Sequence, residues 1–258
     1  MNNQEHPIFQ RIEKAPKPDF GNILTVSFDA VKELWQPALY HGLISLIFMV
    51  PFLLLVYAPL APFYIDLFQN MGDPYYQPEF EYPLSFWLWY TMGCLVVALL
   101  IQLFNFSLVA HFYKVIKLKD AGSRESAGGY FSYLKGNVGK ILLLNVAAMV
   151  IAVVAALLCY LPIFYVMVPL QLFAVIFTFN QDLSASQIIK AAFKLGHKFW
   201  LIIFGVVLIS SMIAQLGIIF CFVGVFVTQL FVHIPIYNIY KNTIGFSEIS
   251  DETTIQHP

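Results

Sequence analysis

Charged side chains are scarce in this 258-residue chain. Asp, Glu, Lys and Arg make up 11% of the residues, whereas soluble domains contain about 25%. Hydrophobic residues make up 59%, and the mean hydropathy is +0.74. So little polar surface excludes a water-soluble fold and predicts an integral membrane protein. The formal net charge of −1 argues against nucleic acid as a partner, since phosphate binding needs a concentrated basic face.

Cysteines and catalytic motifs are also scarce. Cys94, Cys159 and Cys221 lie inside apolar runs, where a thiol acts as a small hydrophobe, and their spacing matches no disulfide or metal pattern. The chain has no Gly-x-Ser-x-Gly motif, no phosphate-binding glycine loop and no helical histidine pair beside a carboxylate. We therefore expect no enzyme activity, no cofactor and no metal. The first 36 residues are polar and charged, so we also expect no cleavable signal peptide.

Long apolar runs cover residues 38–60, 84–113, 141–179 and 199–237. About 20 apolar residues cross a bilayer, so each of the last two runs is long enough to cross twice. Breaks are expected at residues 160–162 and 215–217. The sequence thus predicts an all-α membrane domain over residues 20–241, between tails at 1–19 and 242–258. Its six spans are residues 38–60, 84–113, 141–159, 162–179, 199–215 and 217–240.

All fourteen Lys and Arg residues lie outside these runs, in four blocks. The blocks are Arg11, Lys14, Lys17 and Lys32; Lys114, Lys117, Lys119, Arg124, Lys135 and Lys140; Lys190, Lys194 and Lys198; and Lys241. Because positive charge is retained in the cytoplasm, the blocks predict three hairpins with both termini cytoplasmic.

The predicted outer loop, residues 61–83, is acidic and contains no basic residue. Its carboxylates are Asp66, Asp73, Glu79 and Glu81. Aromatic residues and prolines fill the rest, as is typical of the headgroup layer. We interpret the loop as an interfacial flap. The alternative is an acidic site for a cation or a partner, although the carboxylate spacing matches no known ion loop.

Three cytoplasmic segments predict amphipathic interfacial helices, one before each hairpin. In residues 20–35 and 184–199, apolar side chains recur at spacings of three and four. Ser184 and Gln187 have the spacing of a capping box, which predicts where the second of these helices begins. Residues 126–140 are a weaker version that four glycines interrupt. The expected fold is therefore a threefold repeat of interfacial helix and hairpin.

Asp, Glu, Lys and Arg are absent from the apolar cores of the predicted spans, which argues against ion-coupled transport. Several neutral polar residues do enter the spans, including Gln102 and Gln171. Five polar residues fall in the cytoplasmic half: His41, Asn105, His111, Asn145 and His233. Hydrogen bonds between helices would explain these five. The alternative is a shared polar layer that lines a ligand-binding vestibule.

Small residues in the third span predict tight packing. Ala148, Ala152 and Ala156 recur every four residues, which favours close approach of a neighbouring helix or, alternatively, a homodimer seam.

The C-terminal part of the chain resembles known families. Residues 192–200 (AFKLGHKFW), Gly217 with residues 221–224 (CFVG), and residues 236–241 (IYNIYK) resemble bacterial six-span membrane families of unknown function. Those families are similar to the membrane portion attached to some glycerophosphodiester phosphodiesterases. The resemblance implies a bacterial cytoplasmic (inner) membrane protein without an assigned reaction. No soluble stretch here approaches the roughly 250 residues that the catalytic barrel needs, so the hydrolytic activity is not implied.

These observations favour a non-catalytic scaffold or accessory component of a membrane assembly. The alternative is a carrier or channel for a lipid or small amphiphile. The expected partners are membrane lipid and either another membrane protein or a second copy of the chain.

Overall fold

The computed structural model describes residues 6–73, 75–77, 82–158, 160–219 and 229–246, without the side chains of residues 216–219. This part of the chain is all-helical and contains no strand, so the predicted all-α class is confirmed. Its helices are α1 (Pro7–Lys14), α2 (Phe20–Tyr57), α3 (Ala61–Gln69), α4 (Leu84–Asp120), α5 (Val138–Leu157), α6 (Leu161–Phe179), α7 (Ala185–Lys198), α8 (Trp200–Ile219) and α9 (His233–Thr243).

Several of these helices are long and apolar enough to cross a membrane. Four helical stretches meet that condition: Phe20–Gln69, α4, α5 and α6. A fifth is added if α7 and residues Trp200–Gln215 of α8, which are bent by 93°, count as one span. This is the architecture expected of a membrane protein, but six spans in three hairpins are not confirmed. Residues 220–228 of the predicted sixth span lie outside the described residues.

The break between α5 and α6 falls where the sequence predicts it. α5 ends at Leu157 and α6 begins at Leu161, with Pro162 in the first turn, where the missing N–H of proline is tolerated. Tyr160 adopts a φ of 61°, in the left-handed region that side chains rarely occupy. The second predicted break, at residues 215–217, is wrong because α8 continues to Ile219. A single glycine lowers helix stability by only about 1 kcal/mol, and α8 contains no proline.

The first predicted interfacial helix is not separate from the first span. Residues 20–57 form one continuous helix, α2, with Pro37 and Pro51 inside it. Asp19 caps α2 by accepting a hydrogen bond from the backbone N–H of Asn22 at 2.6 Å. The predicted outer loop is likewise partly helical, because α3 follows α2 after a 3-10 turn at Ala58–Leu60.

The helix predicted within residues 126–140 is wrong over most of its length. A 3-10 turn at Ser132–Leu134 replaces it, and α5 begins only at Val138. Gly128 and Gly136 adopt φ values of 85° and 78°, which an α-helix does not contain. The glycines therefore end the helical pattern that the apolar spacing suggested.

α7 begins with the predicted capping box of Ser184 and Gln187. It then runs back along α6, so that Gly196 lies against Pro169 and the Trp200 indole N–H donates to the Tyr165 carbonyl at 3.2 Å. The apolar face of α7 is fully buried at Ile188, Ala191, Ala192 and Leu195. This face packs against protein. The predicted helix is present as α7, and its position at the lipid interface stays a prediction.

Several of the largest buried side chains lie where the C-terminal part of α4 meets α6 and α9. Phe112, Tyr113, Phe177, Tyr237 and Tyr240 are almost completely buried there. In contrast, the second half of α2 and the first half of α4 leave large apolar side chains exposed, for example Leu54 at 64% and Leu88 at 61%. Such surfaces suit lipid contact, because lipid tails are as apolar as leucine.

The N-terminal segment contains a helix that the sequence analysis treated as part of a tail. α1 buries Ile8, Phe9 and Ile12. The Lys198 ammonium group donates to three carbonyl oxygens at the end of α1, those of Ile12, Glu13 and Ala15, at 2.9, 2.6 and 3.0 Å. A lysine at this position satisfies carbonyls that have no partner within the helix. These contacts hold α1 against α7.

Candidate ligand-binding cavity

A cavity of about 430 Å³ lies between α4, α5 and α6, at the start of α9. This volume is within the range of ligand pockets, roughly 300 to 1,000 Å³. Its polar lining consists of Gln102, Asn105, Asn145, Gln171 and His233. The other described residues of the lining are apolar. The cavity thus combines a few converging polar groups with an apolar wall, as ligand sites do.

Helical spacing explains why these side chains share one cavity. On α4, Gln102, Asn105, Phe106 and Val109 follow at intervals of three, one and three residues, which places them on one face. On α5, Asn145, Ala148 and Ala152 lie on one face for the same reason, and on α6 Gln171 is one turn beyond Met167. Each helix therefore turns one mixed face toward the cavity.

The alanine stripe of α5 borders this cavity. Ala148 and Ala152 are both among its lining residues. The sequence predicts that these small side chains let another helix approach closely. In the structure they leave open space between α5 and its neighbours instead, and α6 supplies the opposite wall with residues such as Met167 and Leu170.

Asn145 has an unsatisfied polar atom at this cavity. Its side-chain nitrogen Nδ2 is buried and has no hydrogen-bond partner among the described residues. Leaving a buried donor without a partner costs about 1 to 3 kcal/mol. The atom has almost no solvent-accessible surface, so an oxygen atom of a ligand or water molecule in the cavity would remove this penalty only after the Asn145 side chain rotates toward it.

His233 is held in place by a neighbouring buried side chain. Its Nδ1 lies 3.1 Å from the hydroxyl of Tyr113, and the two rings meet edge to face with centroids 5.4 Å apart. Tyr113 is fully buried. Because Nδ1 is bound to Tyr113, Nε2 is the ring nitrogen left for another partner.

The other two predicted histidines bind to each other and do not line this cavity. His41 Nε2 lies 2.8 Å from His111 Nδ1, and the rings stack with centroids 5.0 Å apart. His41 Nδ1 also lies 2.6 Å from the Pro37 carbonyl oxygen, and His111 Nε2 lies 3.2 Å from that of Gly128. The ring of Tyr130 packs against both histidines. The five predicted residues therefore form two groups, and only Asn105, Asn145 and His233 meet at the cavity.

The described outer carboxylates make local hydrogen bonds. Asp66 accepts hydrogen bonds from the Tyr76 hydroxyl and, at 3.0 Å, from the Asn70 side chain. Asp73 accepts one from the backbone N–H of Tyr75 at 2.9 Å. Glu79 and Glu81 lie outside the described residues. Across the described ranges, no three His, Cys, Asp or Glu side chains form a group that could hold a metal ion.

Expected depth in the membrane groups the five predicted residues but does not include Gln102, Gln171 or Tyr113 in the site. One signal could have found the first of these. Gln102 and Asn105 are three residues apart on one helix, which places them on the same face whatever their depth. Nothing comparable marks Gln171 or Tyr113, because their neighbours at the cavity come from other helices.

Comparison with known proteins gives no match: no family model, no curated protein and no solved structure is similar to the chain. The resemblance to six-span bacterial families therefore stays a prediction.

Proposed function

We propose that this protein is a non-catalytic integral membrane protein that binds a lipid or another small amphiphile in the cavity between α4, α5 and α6. The observation that carries the proposal is the cavity itself, with five polar side chains against an otherwise apolar lining. An amphiphile matches that division, since its polar group and its chain need different surroundings.

The buried nitrogen of Asn145 supports binding over simple packing. Interhelical hydrogen bonds would satisfy both polar ends of a membrane asparagine, but Nδ2 of Asn145 has no such partner in the described part of the chain. The cavity of about 430 Å³ that this residue lines leaves room for a ligand, which close helix packing would not. For this reason we favour the amphiphile-binding alternative over the scaffold that composition alone suggested.

The proposed setting is a bacterial cytoplasmic membrane, with six spans and both termini in the cytoplasm. The distribution of the fourteen basic residues supports this orientation, because Lys and Arg are retained on the cytoplasmic side. Assignment to the bacterial inner membrane depends on the family resemblance.

Native mass spectrometry after mild detergent extraction tests the binding proposal. Ala152→Phe places a ring in the cavity without removing a polar group, whereas Val153→Phe places the same ring at the next position of α5, where the side chain is exposed. We expect the wild type and Val153→Phe to retain a bound lipid or amphiphile and Ala152→Phe to lose it. Retention of a partner protein with no bound amphiphile in any of the three would support the scaffold and overturn the proposal.

A further inference from the structure

We infer that the ligand presents an uncharged, hydroxyl-bearing polar group to the cavity, as a diacylglycerol or a long-chain alcohol does, and not a phosphate or a carboxylate. This inference rests on the proposed binding function and narrows its ligand class. Three features of the cavity support it: the charge of its lining, the chemistry of its amides and the arrangement of its apolar wall.

Among the described residues, the lining contains four amides and one imidazole and no Asp, Glu, Lys or Arg. An ionised phosphate in a low-dielectric site is strongly unfavourable unless a cation offsets its charge. Anion sites therefore use Arg or Lys. The basic residue of α5, Lys140, instead donates to the Gln181 carbonyl at 2.5 Å and lies over the ring of Phe177.

The amides of Asn105, Asn145, Gln102 and Gln171 each carry two N–H donors and one acceptor oxygen. A hydroxyl both donates and accepts, so it can use both ends of an amide. A phosphate or carboxylate only accepts, so it would use the N–H groups and leave the amide oxygens facing negative charge. Nδ2 of Asn145 has no partner among the described residues, and once the side chain rotates toward the cavity a hydroxyl oxygen accepts its hydrogen bond without bringing a charge.

The apolar wall gives a direction for the chain of the ligand. Ile163 and Gln171 both line the cavity and are eight residues apart on α6, which corresponds to about 12 Å along the helix. The lining positions between them are Val166, Met167 and Leu170. A polar group near Gln171 would therefore place a hydrocarbon chain along this side of α6, toward Ile163.

Two soluble probes that differ by one phosphate test the inference: dioctanoylglycerol and dioctanoyl phosphatidic acid. Each is titrated into the full-length protein in detergent, and binding is measured by native mass spectrometry. We expect dioctanoylglycerol to bind more tightly than phosphatidic acid. Asn145→Leu should weaken its binding about tenfold, as expected for the loss of a hydrogen bond with a buried partner, whereas Gln229→Leu, at an exposed position outside the lining, should not.

The outcomes separate this inference from the proposed function. Equal or tighter binding of phosphatidic acid, with the same sensitivity to Asn145→Leu, would overturn the inference and leave amphiphile binding intact. The inference would also be overturned if neither probe binds while Ala152→Phe still removes a bound amphiphile. If Asn145→Leu fails to fold, Asn145→Gln replaces it, because this variant keeps the amide but moves it by one methylene. Weakened binding of dioctanoylglycerol to Asn145→Gln would support the inference. Unchanged binding of both probes would contradict it.

Discussion

Nε2 of His41 lies 2.8 Å from Nδ1 of His111, and this contact joins α2 to α4 across 70 positions of sequence. Each ring also faces a carbonyl oxygen, that of Pro37 for His41 and that of Gly128 for His111. Three hydrogen bonds among four ring nitrogens need three N–H protons, whereas two neutral imidazoles carry two. All three bonds therefore coexist only when the pair holds one additional proton.

Replacing His111 with Phe should destabilise the protein. The new ring keeps the shape that packs against Tyr130 but leaves His41 Nε2 without its partner. An unsatisfied buried group costs about 1 to 3 kcal/mol, so the Tm in detergent should fall. The control is His197→Phe, at an exposed histidine whose ring nitrogen Nδ1 lies 3.1 Å from the Tyr165 hydroxyl. An equal Tm for wild type and His111→Phe would show that the histidine pair does not stabilise the contact between α2 and α4.

Gly196→Ala should loosen the contact between α6 and α7. A Cβ at this position would lie 3.2 Å from the Cα of Pro169, closer than ordinary van der Waals contact, so the backbone of α6 would have to shift. Overpacking of this kind costs about 1 to 3 kcal/mol, which thermal unfolding in detergent would detect. Gly139→Ala is the matched control, because a Cβ there meets nothing within 4 Å and α5 gains a better helix former. The two variants should shift the Tm in opposite directions.

Docking of α1 on α7 should weaken in acid. The Lys194 ammonium, hydrogen-bonded to Glu13 at 2.6 Å, lowers the pKa of the Glu13 carboxyl below its ordinary value of 4.5. A carboxyl with a lowered pKa in the folded state contributes stability above its ordinary pKa and loses that contribution as the pH falls through the folded value. Acidification below 4.5 should therefore release α1.

A dye on Gln10→Cys, at an exposed position of α1, would report this release as a fall in fluorescence anisotropy. Glu13→Gln should lower the anisotropy at neutral pH and reduce the dependence on pH in this range. The part that remains comes from Asp182, whose carboxyl lies 2.6 Å from the His6 ring at the start of α1 and whose pKa is also lowered. Glu33→Gln, at an exposed position of α2, is the control and should behave as wild type. Retention of the full transition in Glu13→Gln would assign the acid release to another group.

The orientation predicted from the basic residues can be tested by labelling single cysteines in a background that lacks Cys94, Cys159 and Cys221. An impermeant thiol reagent added to intact cells should reach a cysteine at position 73 and should not reach one at position 119 or 194. Permeabilised cells provide the control, because all three positions should then react. Labelling of position 119 in intact cells would contradict the six-span topology, since Lys119 belongs to a basic block expected in the cytoplasm.

Features with a local physical cause were predictable from the sequence. Apolar run length indicated the long helices α4, α5 and α6, and Pro162 indicated the break before α6. The capping box of Ser184 and Gln187 marked the start of α7 because its hydrogen bonds join residues three apart. The helix expected in residues 126–140 was wrong because apolar spacing alone does not register the positive φ of Gly128 and Gly136.

Features that depend on contacts between distant segments were not predictable in this way. α1 is short and polar on average, and its apolar face is buried only because α7 and Lys198 receive it. The position of α7 along α6 depends on the fit of Gly196 to Pro169, which no local pattern contains. In the same way, polar spacing identified Asn145 as a residue that needs a partner but did not show which helix it would face.

By itself, the sequence determined the helical class, the membrane-length helices and the side of each helix on which polar residues lie. These features follow from run length and helical periodicity, which are properties of a single segment. Tertiary structure alone decided that His41 meets His111 and that Asn105, Asn145 and His233 meet around a common space. Those pairings depend on how α2, α4, α5, α6 and α9 pack, and in a membrane many apolar helix faces could pack against one another equally well. The specific fit of side chains selects one arrangement, and with it the cavity.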